Sequence, residues 1–246
     1  MKKISLGIYR QDPSADRKGK IVKYHVPVEE GMVVLDAVRH VQENTDPTLA
    51  VRWNCKAARC GSCAAEINGV PKLMCKTRIE DIGDDITVEP MRSFTLVKDL
   101  VTDISPAWAV ARSLPHFHPR QRSVHPFRIE EMDVERSQEF RKCIECMLCM
   151  DVCHVKREHN TSYVGPRYIV KAASLDMHPM DSLDRSKFLD REGGIGYCNV
   201  TKCCQAICPA HIRITENAII PEKERAADLF YDPLMMLLKR LRKVKD

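Results

Sequence analysis

The cysteines are the residues of this chain whose spacing best suits chemistry. Twelve cysteines occur in 246 residues, in three blocks of four separated by long stretches that contain none. The blocks are Cys55, Cys60, Cys63 and Cys75; Cys143, Cys146, Cys149 and Cys153; and Cys198, Cys203, Cys204 and Cys208. A lattice of disulfides would scatter its cysteines more evenly, whereas thiolates that bind one metal centre often come from short motifs. The clustering therefore predicts several metal or redox centres.

The composition argues against several classes of protein. Hydrophobic residues make up 44% and charged residues 30% of the chain, and the formal net charge is +5. No uninterrupted apolar run approaches the roughly 20 residues that span a bilayer, and Arg10 interrupts the N-terminal stretch before a signal-peptide apolar region develops. We therefore expect neither an integral membrane protein nor a secreted disulfide protein. In a reducing compartment the thiols stay available for metal binding.

The first block has the spacing of a plant-type [2Fe–2S] site. Cys55 and Cys60 are separated by four residues, Cys60 and Cys63 by two, and Cys75 follows from another segment. Gly61 lets the backbone of the loop wrap closely around such a centre. Zinc is the alternative, because the pair Cys60 and Cys63 alone could form half of a zinc site. No partner pair occurs near Cys75, so we predict a [2Fe–2S] cluster held by these four cysteines.

The second block has the spacing of a bacterial-type ferredoxin run. Its cysteines are separated by two, two and three residues, and His154 stands where proline usually follows the fourth. The fourth cysteine of such a run binds a neighbouring cluster, so a second run is expected. The third block supplies that run with the same spacing and a terminal Pro209, but Thr201 replaces its second cysteine. Together the two runs predict two sites, one of which lacks a thiolate.

Exchange of the fourth cysteines between the two runs assigns their ligands. The predicted sets are Cys143, Cys146, Cys149 and Cys208 for a [4Fe–4S] cluster, and Cys153, Cys198 and Cys204 for the other site. A cubane that lacks one protein ligand tends to lose the iron at that corner, so Thr201 predicts [3Fe–4S].

Cys203 is the one cysteine left over. In one interpretation it is a small buried hydrophobic residue. In the other it supplies the missing ligand, and the third cluster is [4Fe–4S]. Side chains of neighbouring residues usually point in different directions, which favours the first interpretation over a ligand role beside Cys204.

The elements around the first block follow a β-grasp order. Alternating apolar residues predict strands at 4–8 and 22–26, and helical spacing predicts a helix over 34–41. Asn68-Gly69 predicts a hairpin, and alternation at 86–88 predicts a closing strand. We therefore expect an α+β protein whose residues 1–105 form a plant-type ferredoxin domain with the β-grasp fold.

The next segment, residues 106–130, is predicted to be a linker or covering segment. Prolines and histidines interleave there and the apolar periodicity is lost. Linker histidines are far more often solvated or packed than bound to metal, so we assign no role to His116, His118 and His125.

Residues 131–246 show no strand pattern and are expected to form an all-α, bacterial-type ferredoxin domain. The predicted helices cover 134–142, 166–175 and 215–220. A further helix is predicted to begin at Asp232 and Pro233. The basic residues that follow, from Lys239 on, either meet anionic lipid or complement the dipole of a terminal helix.

Three unlike clusters in one chain indicate electron transfer rather than catalysis. Electron transfer falls steeply with distance, so a row of clusters connects two redox sites that are too far apart for one step. The sequence contains no recognisable catalytic triad, and Gly193-Gly194-Ile195-Gly196 is too short and ill-placed for a dinucleotide loop. We therefore predict no catalytic residue in this chain and expect the two-electron centre on a partner subunit.

With these motifs in order, the sequence resembles the iron–sulfur subunit of succinate dehydrogenase and fumarate reductase over nearly its full length. Besides the ordered trio of cysteine motifs, the matching features are Lys98-Asp99-Leu100-Val101-Thr102-Asp103, Gly165-Pro166, and the Thr201-interrupted motif that ends in Cys208-Pro209. The resemblance implies the two ferredoxin domains and the clusters [2Fe–2S], [4Fe–4S] and [3Fe–4S] in that order.

The resemblance also implies partners and a place in metabolism. It implies a flavoprotein subunit with covalent FAD, where succinate and fumarate interconvert, and membrane anchor subunits that hold quinone near the third cluster. The chain is then expected to be a peripheral subunit of respiratory complex II, in the tricarboxylic acid cycle, on the cytoplasmic face of the cell membrane.

The chain departs from the commonest family pattern at the positions that the resemblance places near quinone. Many relatives have proline and then a tryptophan pair after the fourth cysteine of the second motif, whereas this chain continues with His154 and has no tryptophan there. Asn199 stands where many relatives have histidine. The expected quinone-proximal residues are therefore His154, Asn199 and Thr201, and the altered pocket slightly favours menaquinone.

Two other functions are compatible with parts of the sequence. A related flavoprotein system could work in the quinol:fumarate reductase direction, or act on another hydroxy acid or a thiol; many such relatives carry Cys-Cys-Gly repeats, which this sequence lacks. A zinc-stabilised basic binding module would be a different class, but the basic residues are spread along the chain rather than grouped with aromatic residues. We expect the first function, a succinate:quinone oxidoreductase subunit.

Overall fold

The computed structural model describes residues 2–120, 128–159, 162–234 and 236–237. The chain divides into two compact units, each built from more than one segment. The first unit contains Met1–Pro106, Ile144–Val152 and Ile207–Ala210. The second contains Ala107–Cys143, Cys153–Ala206 and His211–Asp246. Two short segments around the second and third cysteine blocks therefore belong to the same unit as the first block.

The first unit is built on a five-stranded mixed sheet with one helix. Its elements are β1 (Lys2–Arg10), β2 (Lys20–Val28), α1 (Val34–Asn44), β3 (Ala64–Ile67), β4 (Val70–Leu73) and β5 (Asp85–Glu89). The strand order is β2-β1-β5-β3-β4, and β1 pairs parallel to β5 while its other neighbour is antiparallel. This order agrees with the predicted β-grasp fold.

Local sequence patterns explain these elements. The alternating residues Ile4, Leu6 and Ile8 of β1 are all buried, as a strand with one core-facing side requires. Helix α1 buries its apolar stripe in the same way. The predicted hairpin turns at Asn68 and Gly69, whose φ values of 50° and 74° are those of a two-residue hairpin turn with the twist of the strands.

A second, two-stranded sheet follows, which the periodicity of the sequence did not predict. It pairs β6 (Thr95–Lys98) with β7 (Val101–Asp103). Asp99, in the turn between them, is buried and accepts hydrogen bonds from Arg10 Nε at 3.0 Å, the Gln11 amide at 3.0 Å and the Ala50 amide at 2.9 Å. This carboxylate therefore ties the turn to β1 and to the segment that leads into the first cysteine loop.

Helices and helical turns account for the regular structure described after residue 104. The α-helices are α2 (Ser105–Ser113), α3 (Glu131–Gln138), α4 (Leu148–Asp151), α5 (His154–Glu158), α6 (Pro166–Asp176), α7 (Ser186–Arg191), α8 (Cys203–Ala206) and α9 (Ile220–Phe230). Two 3₁₀ turns cover Glu139–Lys142 and Ile195–Tyr197, and a π-helical turn covers Ile214–Ile219. The predicted helices at 134–142 and 166–175 are present, and the one at 215–220 continues through α9 to Phe230.

The predicted linker contains structure that its sequence did not indicate. Helix α2 occupies its first part, and the chain that follows is held by Arg185, whose side chain is fully buried. The Arg185 guanidinium donates to the carbonyls of Pro115 and His116, each at 2.8 Å, and pairs with Asp176 at 2.6 Å and Asp181 at 2.7 Å. A buried charge needs this many partners to offset its desolvation.

Some predictions fall partly on residues that the structure does not describe. His125 lies within residues 121–127, and the basic residues from Lys239 on also lie outside the described part. At the start of that last helix, the Leu234 amide donates to Asp232 Oδ1 at 2.8 Å, as the predicted N-cap requires. Among the described residues, no helix is both long and apolar enough to cross a membrane.

Candidate metal centres

The loop around Cys55 is shaped by residues in the left-handed conformation. Lys56, Ala58 and Gly61 have φ values of 53°, 54° and 71°. These turns bring backbone amides back toward the first cysteine, and the amides of Ala57 and Arg59 donate to Cys55 Sγ at 3.4 and 3.3 Å. Hydrogen bonds from backbone amides stabilise a thiolate, so the loop is suited to a charged sulfur ligand.

The four thiols of the first block interact with one another within the first unit. Burial opposes ionisation of Cys60, but hydrogen bonds with Ser62 and Cys55 lower its pKa to about 6. Burial raises the pKa of Cys63 to about 12, and the nearby Cys75 and Cys60 thiols add to the effect. Crowded thiols of this kind disfavour shared ionisation unless cations lie between them. The donor set therefore fits an iron–sulfur cluster.

The second predicted site draws on two distant segments that lie in the first unit. Cys146 and Cys149 belong to Ile144–Val152, and Cys208 belongs to Ile207–Ala210. Cys143 directly precedes the first of these segments and is assigned to the second unit. The structure therefore groups three of the four predicted ligands in one compact unit, although about sixty residues separate Cys149 from Cys208.

Polar contacts fasten both segments within the first unit. The Ser93 amide donates to Asp151 Oδ1 at 3.0 Å, and Ser93 Oγ donates to the Asp151 carbonyl at 3.2 Å. Burial raises the pKa of Asp151 to about 6, against the lowering effect of these Ser93 hydrogen bonds. Lys76, which follows the ligand candidate Cys75, donates from Nζ to the Pro209 carbonyl at 3.0 Å.

The first cysteine loop lies directly against the second block at Gly61. A methyl group on Gly61 would lie 2.6 Å from Cα and 2.8 Å from Cβ of Cys146, closer than carbon atoms approach. Only glycine allows this contact, both because it has no side chain and because its φ is positive. The backbones of the first and second predicted sites therefore touch within the first unit.

The predicted ligands of the third site come together in the second unit. The side chains of Cys153, Cys198 and Cys204 interact electrostatically, and Cys203 lies close enough to join them. Burial raises the pKa of Cys204 to about 12, and Cys203, Cys198 and Cys153 raise it further. Thr215, which is fully buried in the π-helical turn, pairs through Oγ1 with Cys204 Sγ at 3.6 Å.

The second and third blocks repeat the same backbone conformation. Glu145 and Met147 have φ values of 58° and 63°, and Val200 and Lys202 both have a φ of 61°. A short helix begins directly after each pair, α4 at Leu148 and α8 at Cys203.

This repeat relates individual positions of the two blocks. Thr201 occupies the backbone position of Cys146, and Cys203 occupies that of Leu148, which is buried. The correspondence favours Cys203 as a packing residue, but its side chain is half-buried, whereas the predicted packing residue was buried and Leu148 is buried. Thr201 Oγ1 also donates to Cys203 Sγ at 3.4 Å, so the Cys203 thiol lies beside Thr201.

The three residues predicted to face quinone all lie in the second unit and reach its surface. Asn199 and Thr201 are exposed, and His154, the first residue of α5, is half-buried. The rings of His154 and His159 pack edge to face with centroids 6.4 Å apart.

Three polar residues around the third site were missed by the sequence analysis. Lys223 Nζ donates to the Cys198 carbonyl at 2.5 Å, Lys156 interacts electrostatically with Cys153, and Tyr163 interacts electrostatically with Cys198, Cys153 and Cys204. Of the three, only Lys156 could have been suspected from the sequence, because it follows Cys153 by three residues. Burial lowers the pKa of Lys156, and Tyr163 is almost completely buried.

Across the described residues, no three or more His, Cys, Asp or Glu side chains converge as the ligands of a single ion would. An iron–sulfur cluster places several irons and sulfides between its cysteine ligands, so these sulfurs do not have to meet around one ion.

Comparisons with known proteins identify two cluster-binding domains in the chain. A family model described as a 2Fe-2S iron-sulfur cluster binding domain matches residues 5–109. A second, described as a 4Fe-4S dicluster domain, matches residues 139–212. The first model covers the first cysteine block and the second model covers the other two, which confirms the predicted [2Fe–2S] and [4Fe–4S] types.

Relatives match the chain over most of its length. The fumarate reductase iron-sulfur subunit of Mycobacterium tuberculosis is 31% identical over 217 residues, which cover 85% of this chain and 87% of the relative. That of Haemophilus influenzae is 28% identical over 225 residues, with coverages of 85% and 88%.

A solved structure shows the same fold at higher sequence identity. A chain of the Mycobacterium smegmatis Sdh1 complex in the apo form has a TM-score of 0.89 and 50% identity, covering 94% of this chain and 98% of that one. These matches confirm the predicted fold class and the family resemblance. The chain belongs to the iron–sulfur subunits of the succinate dehydrogenase and fumarate reductase family, the electron-transfer subunits of an oxidoreductase complex.

Proposed function

We propose that this chain transfers electrons between the succinate/fumarate site of an FAD-containing flavoprotein partner and a membrane quinone. The observation that carries the proposal is the grouping of the thiols. The four cysteines of the first block interact in one unit, and Cys153, Cys198, Cys203 and Cys204 interact in the other. The chain itself contributes no catalytic residue.

The proposed ligands follow the pairing predicted from the sequence. They are Cys55, Cys60, Cys63 and Cys75 for [2Fe–2S]; Cys143, Cys146, Cys149 and Cys208 for [4Fe–4S]; and Cys153, Cys198 and Cys204 for [3Fe–4S]. The distribution of Cys208 and Cys153 between the compact units supports the exchange, because each is grouped with cysteines of the other run. Thr201, at the backbone position of Cys146, supports a missing ligand at the third site.

When bound, the clusters supply one-electron transfer between the two-electron chemistry of a flavin and that of a quinone. The residues of this chain position and tune the sites. Backbone amides of Ala57 and Arg59 direct their hydrogens at Cys55, and Gly61 allows the first loop to touch Cys146. Close contact between two sites shortens the path that an electron must cross.

The proposed partners are the flavoprotein, membrane anchor subunits and quinone, with menaquinone slightly favoured. The protein would then be peripheral, held by its anchors on the cytoplasmic face of the cell membrane. The names of the similar proteins, fumarate reductase subunits and a chain of an Sdh1 complex, support a multisubunit enzyme. The accessible positions of His154, Asn199 and Thr201 in the second unit support a quinone-facing surface near the third site.

Purification of the chain from membranes with its partners tests the proposed function. We expect it to copurify with an FAD-containing subunit and hydrophobic anchor subunits, and to carry roughly nine irons per chain with matching sulfide if all three clusters are present. The measurements are metal analysis, sulfide analysis and identification of the copurifying chains by mass spectrometry. Colourless protein with stoichiometric zinc would contradict an electron-transfer function of any kind.

The ligand set of the third site can be tested at Thr201. Oxidised wild-type protein is expected to show the paramagnetic signal of [3Fe–4S], and Thr201→Cys is expected to convert the site to [4Fe–4S], because the new thiol would occupy the backbone position of Cys146. Electron paramagnetic resonance of the oxidised and reduced proteins measures both. The matched variant Cys203→Ser should leave the wild-type signal in place. If wild type lacks that signal and Cys203→Ser creates it, Cys203 is the fourth ligand.

The exchange of fourth cysteines can be tested at Cys208. Cys208→Ser should damage the [4Fe–4S] site and spare the third, because the segment that contains Cys208 lies in the unit of Cys146 and Cys149. Iron content and the spectra of the two centres distinguish these outcomes, with Cys203→Ser as the control for loss of a nearby thiol. Loss of the third signal alone would refute the pairing.

The contact between Gly61 and Cys146 should control electron passage from the first site to the second. In Gly61→Ala the methyl group forces the two backbones apart, so reduction of the second and third centres by succinate should slow several-fold. Rapid freeze-quench spectroscopy measures this rate. Gly69→Ala is the control, because Gly69 has a similar φ of 74° with open space around its Cβ position. Equal rates in the two variants, with the first cluster loaded in both, would show that the contact does not matter.

A further inference from the structure

Three carboxylates are buried in the second unit, outside the cysteine blocks. Asp176 is the last residue of α6 and Glu222 lies in the first turn of α9, and both side chains are 0% exposed. Asp181, between α6 and α7, is 1% exposed. A buried negative charge is costly unless a cation or a proton offsets it. The partners of these three groups therefore decide whether all of them are ionised.

Arg185 pairs with two of the three carboxylates. Its guanidinium contacts Asp176 Oδ1 through Nη1 at 2.6 Å and Asp181 Oδ2 through Nη2 at 2.7 Å. Distances this short are typical of charge-assisted hydrogen bonds. One positive charge thus serves two negative charges, and Glu222 adds a third.

Arg225 is the second cation of this region, and its contacts are longer. Its Nη1 lies 3.3 Å and 3.4 Å from the two carboxyl oxygens of Glu222 and 3.4 Å from Asp176 Oδ2, and its Nη2 lies 3.7 Å from Asp184. Charge-assisted hydrogen bonds are typically about 2.7–2.9 Å long. Arg225 is also 40% exposed, so solvent screens its charge. It therefore offsets the buried charge only in part.

Asp176 Oδ2 is the atom that points to a missing ligand. Its side chain is fully buried, yet this oxygen accepts no hydrogen bond from any residue that the structure describes. The same nitrogen, Arg225 Nη1, lies within 3.4 Å of both this oxygen and the Glu222 carboxyl group. A protonated carboxyl group is a hydrogen-bond donor, so a proton on Glu222 would supply the donor that Asp176 Oδ2 lacks.

The charged groups that face Asp176 and Glu222 are Asp181, Asp184 and Arg185, from the segment that leads into α7, and Arg225, from α9.

Charged groups of the neighbouring elements pair elsewhere. Glu216 of the π-helical turn pairs with Lys202 at 2.7 Å, and Asp190 of α7 accepts a hydrogen bond from Tyr231. Within the described part of the chain, no cation besides Arg185 and Arg225 lies within ion-pair distance of Asp176 or Glu222.

The pKa values of the two carboxyl groups shift in the direction that this geometry requires. Burial raises the pKa of Glu222 to about 7, and the negative charges of Asp176 and Asp184 raise it while Arg225 lowers it. Burial also raises the pKa of Asp176, although its hydrogen bond with Arg185 lowers it. Asp176 keeps the closer cation, so Glu222 is the group that binds the proton.

We propose that Asp176 and Glu222 form a buried proton-binding site, in which Glu222 holds one proton and donates it to Asp176 Oδ2. The shared proton connects the end of α6 to the start of α9, and its release leaves two neighbouring carboxylates that repel each other. Helix α9 also carries Lys223, which donates to the Cys198 carbonyl at 2.5 Å. The site lies outside the proposed cluster ligands, so its failure would leave the proposed function intact.

Infrared difference spectroscopy of the purified full-length protein detects the proton directly. At about pH 6 the difference between wild type and Glu222→Gln should contain the carbonyl band of a protonated carboxyl group. That band should shift in D₂O and disappear as the pH rises through about 7. The matched control is Glu224→Gln, an exposed position of the same helix, which should remove no such band. A difference spectrum that contains only bands of ionised carboxylate would overturn the proposal.

The site also predicts how stability depends on pH. A carboxyl group whose pKa is raised in the folded state stabilises the fold fully below about 4.5, its ordinary pKa, and this contribution is lost as the pH rises to about 7. Glutamine does not titrate, so the unfolding temperature of Glu222→Gln relative to wild type should increase by roughly 3–8 °C from about pH 5 to about pH 8. For Glu224→Gln the difference should stay constant. Parallel pH profiles of wild type and Glu222→Gln would contradict the shared proton.

Arg225→Gln tests the site if Glu222→Gln does not fold. This change removes the half-exposed cation that lowers the pKa of Glu222. In infrared spectra recorded as a function of pH, the band of the protonated carboxyl group should therefore persist to higher pH than in wild type. A band that disappears at the same pH in both proteins would overturn the proposal.

Discussion

The proposed centres depend on a backbone that turns sharply enough for several thiols of one short loop to face a common cluster. Among the described residues, six of the nine non-glycine residues with positive φ lie in the cysteine loops, and they are Lys56, Ala58, Glu145, Met147, Val200 and Lys202. An L-residue in the left-handed region costs about 1–2 kcal/mol. Hydrogen bonds that the backbone amides of these loops donate offset part of this cost. Cluster binding would offset more, because metal binding is coupled to folding.

The same constraint explains why the compact units do not follow the order of the chain. The fourth cysteine of a ferredoxin-like run binds a neighbouring cluster. The segments that carry Cys146 and Cys208 therefore have to come together, although many residues separate them in the chain. Here both segments belong to the first unit. Contacts such as Ser93 with Asp151 and Lys76 with Pro209 fasten them there. The composition of the units therefore agrees with the proposed exchange of fourth ligands.

The polar surroundings differ between the first and third sites. At the first site the amides of Ala57 and Arg59 donate to Cys55. At the third site Thr215 pairs with Cys204, and Lys156 and Tyr163 interact electrostatically with the cysteines. Hydrogen bonds and charges near the sulfurs set the potential of a cluster.

Sequence analysis predicted well the elements whose formation depends on residues close together in the chain. The strands, helix α1 and the Asn68-Gly69 hairpin follow from periodicity and turn chemistry, and the domain matches confirm the predicted [2Fe–2S] and [4Fe–4S] cluster types. Helix α2 and the β6–β7 sheet were missed. The β6–β7 turn is stabilised by the buried carboxylate of Asp99, and the chain after α2 by the guanidinium of Arg185, whose partners are distant in sequence.

Some features of the candidate sites could likewise be predicted from the sequence, whereas others required the tertiary structure. The sequence by itself determined that the cysteines fall into three blocks and that Thr201 interrupts the third motif, because ligand spacing is a property of short loops. The ligand sets and the spare role of Cys203 stay predictions. Only the tertiary structure revealed that Gly61 touches Cys146 and that the buried Tyr163 lies within electrostatic range of Cys198. Contacts of this kind join segments far apart in the chain, and their partners are chosen by packing and by the need of buried polar groups for hydrogen bonds.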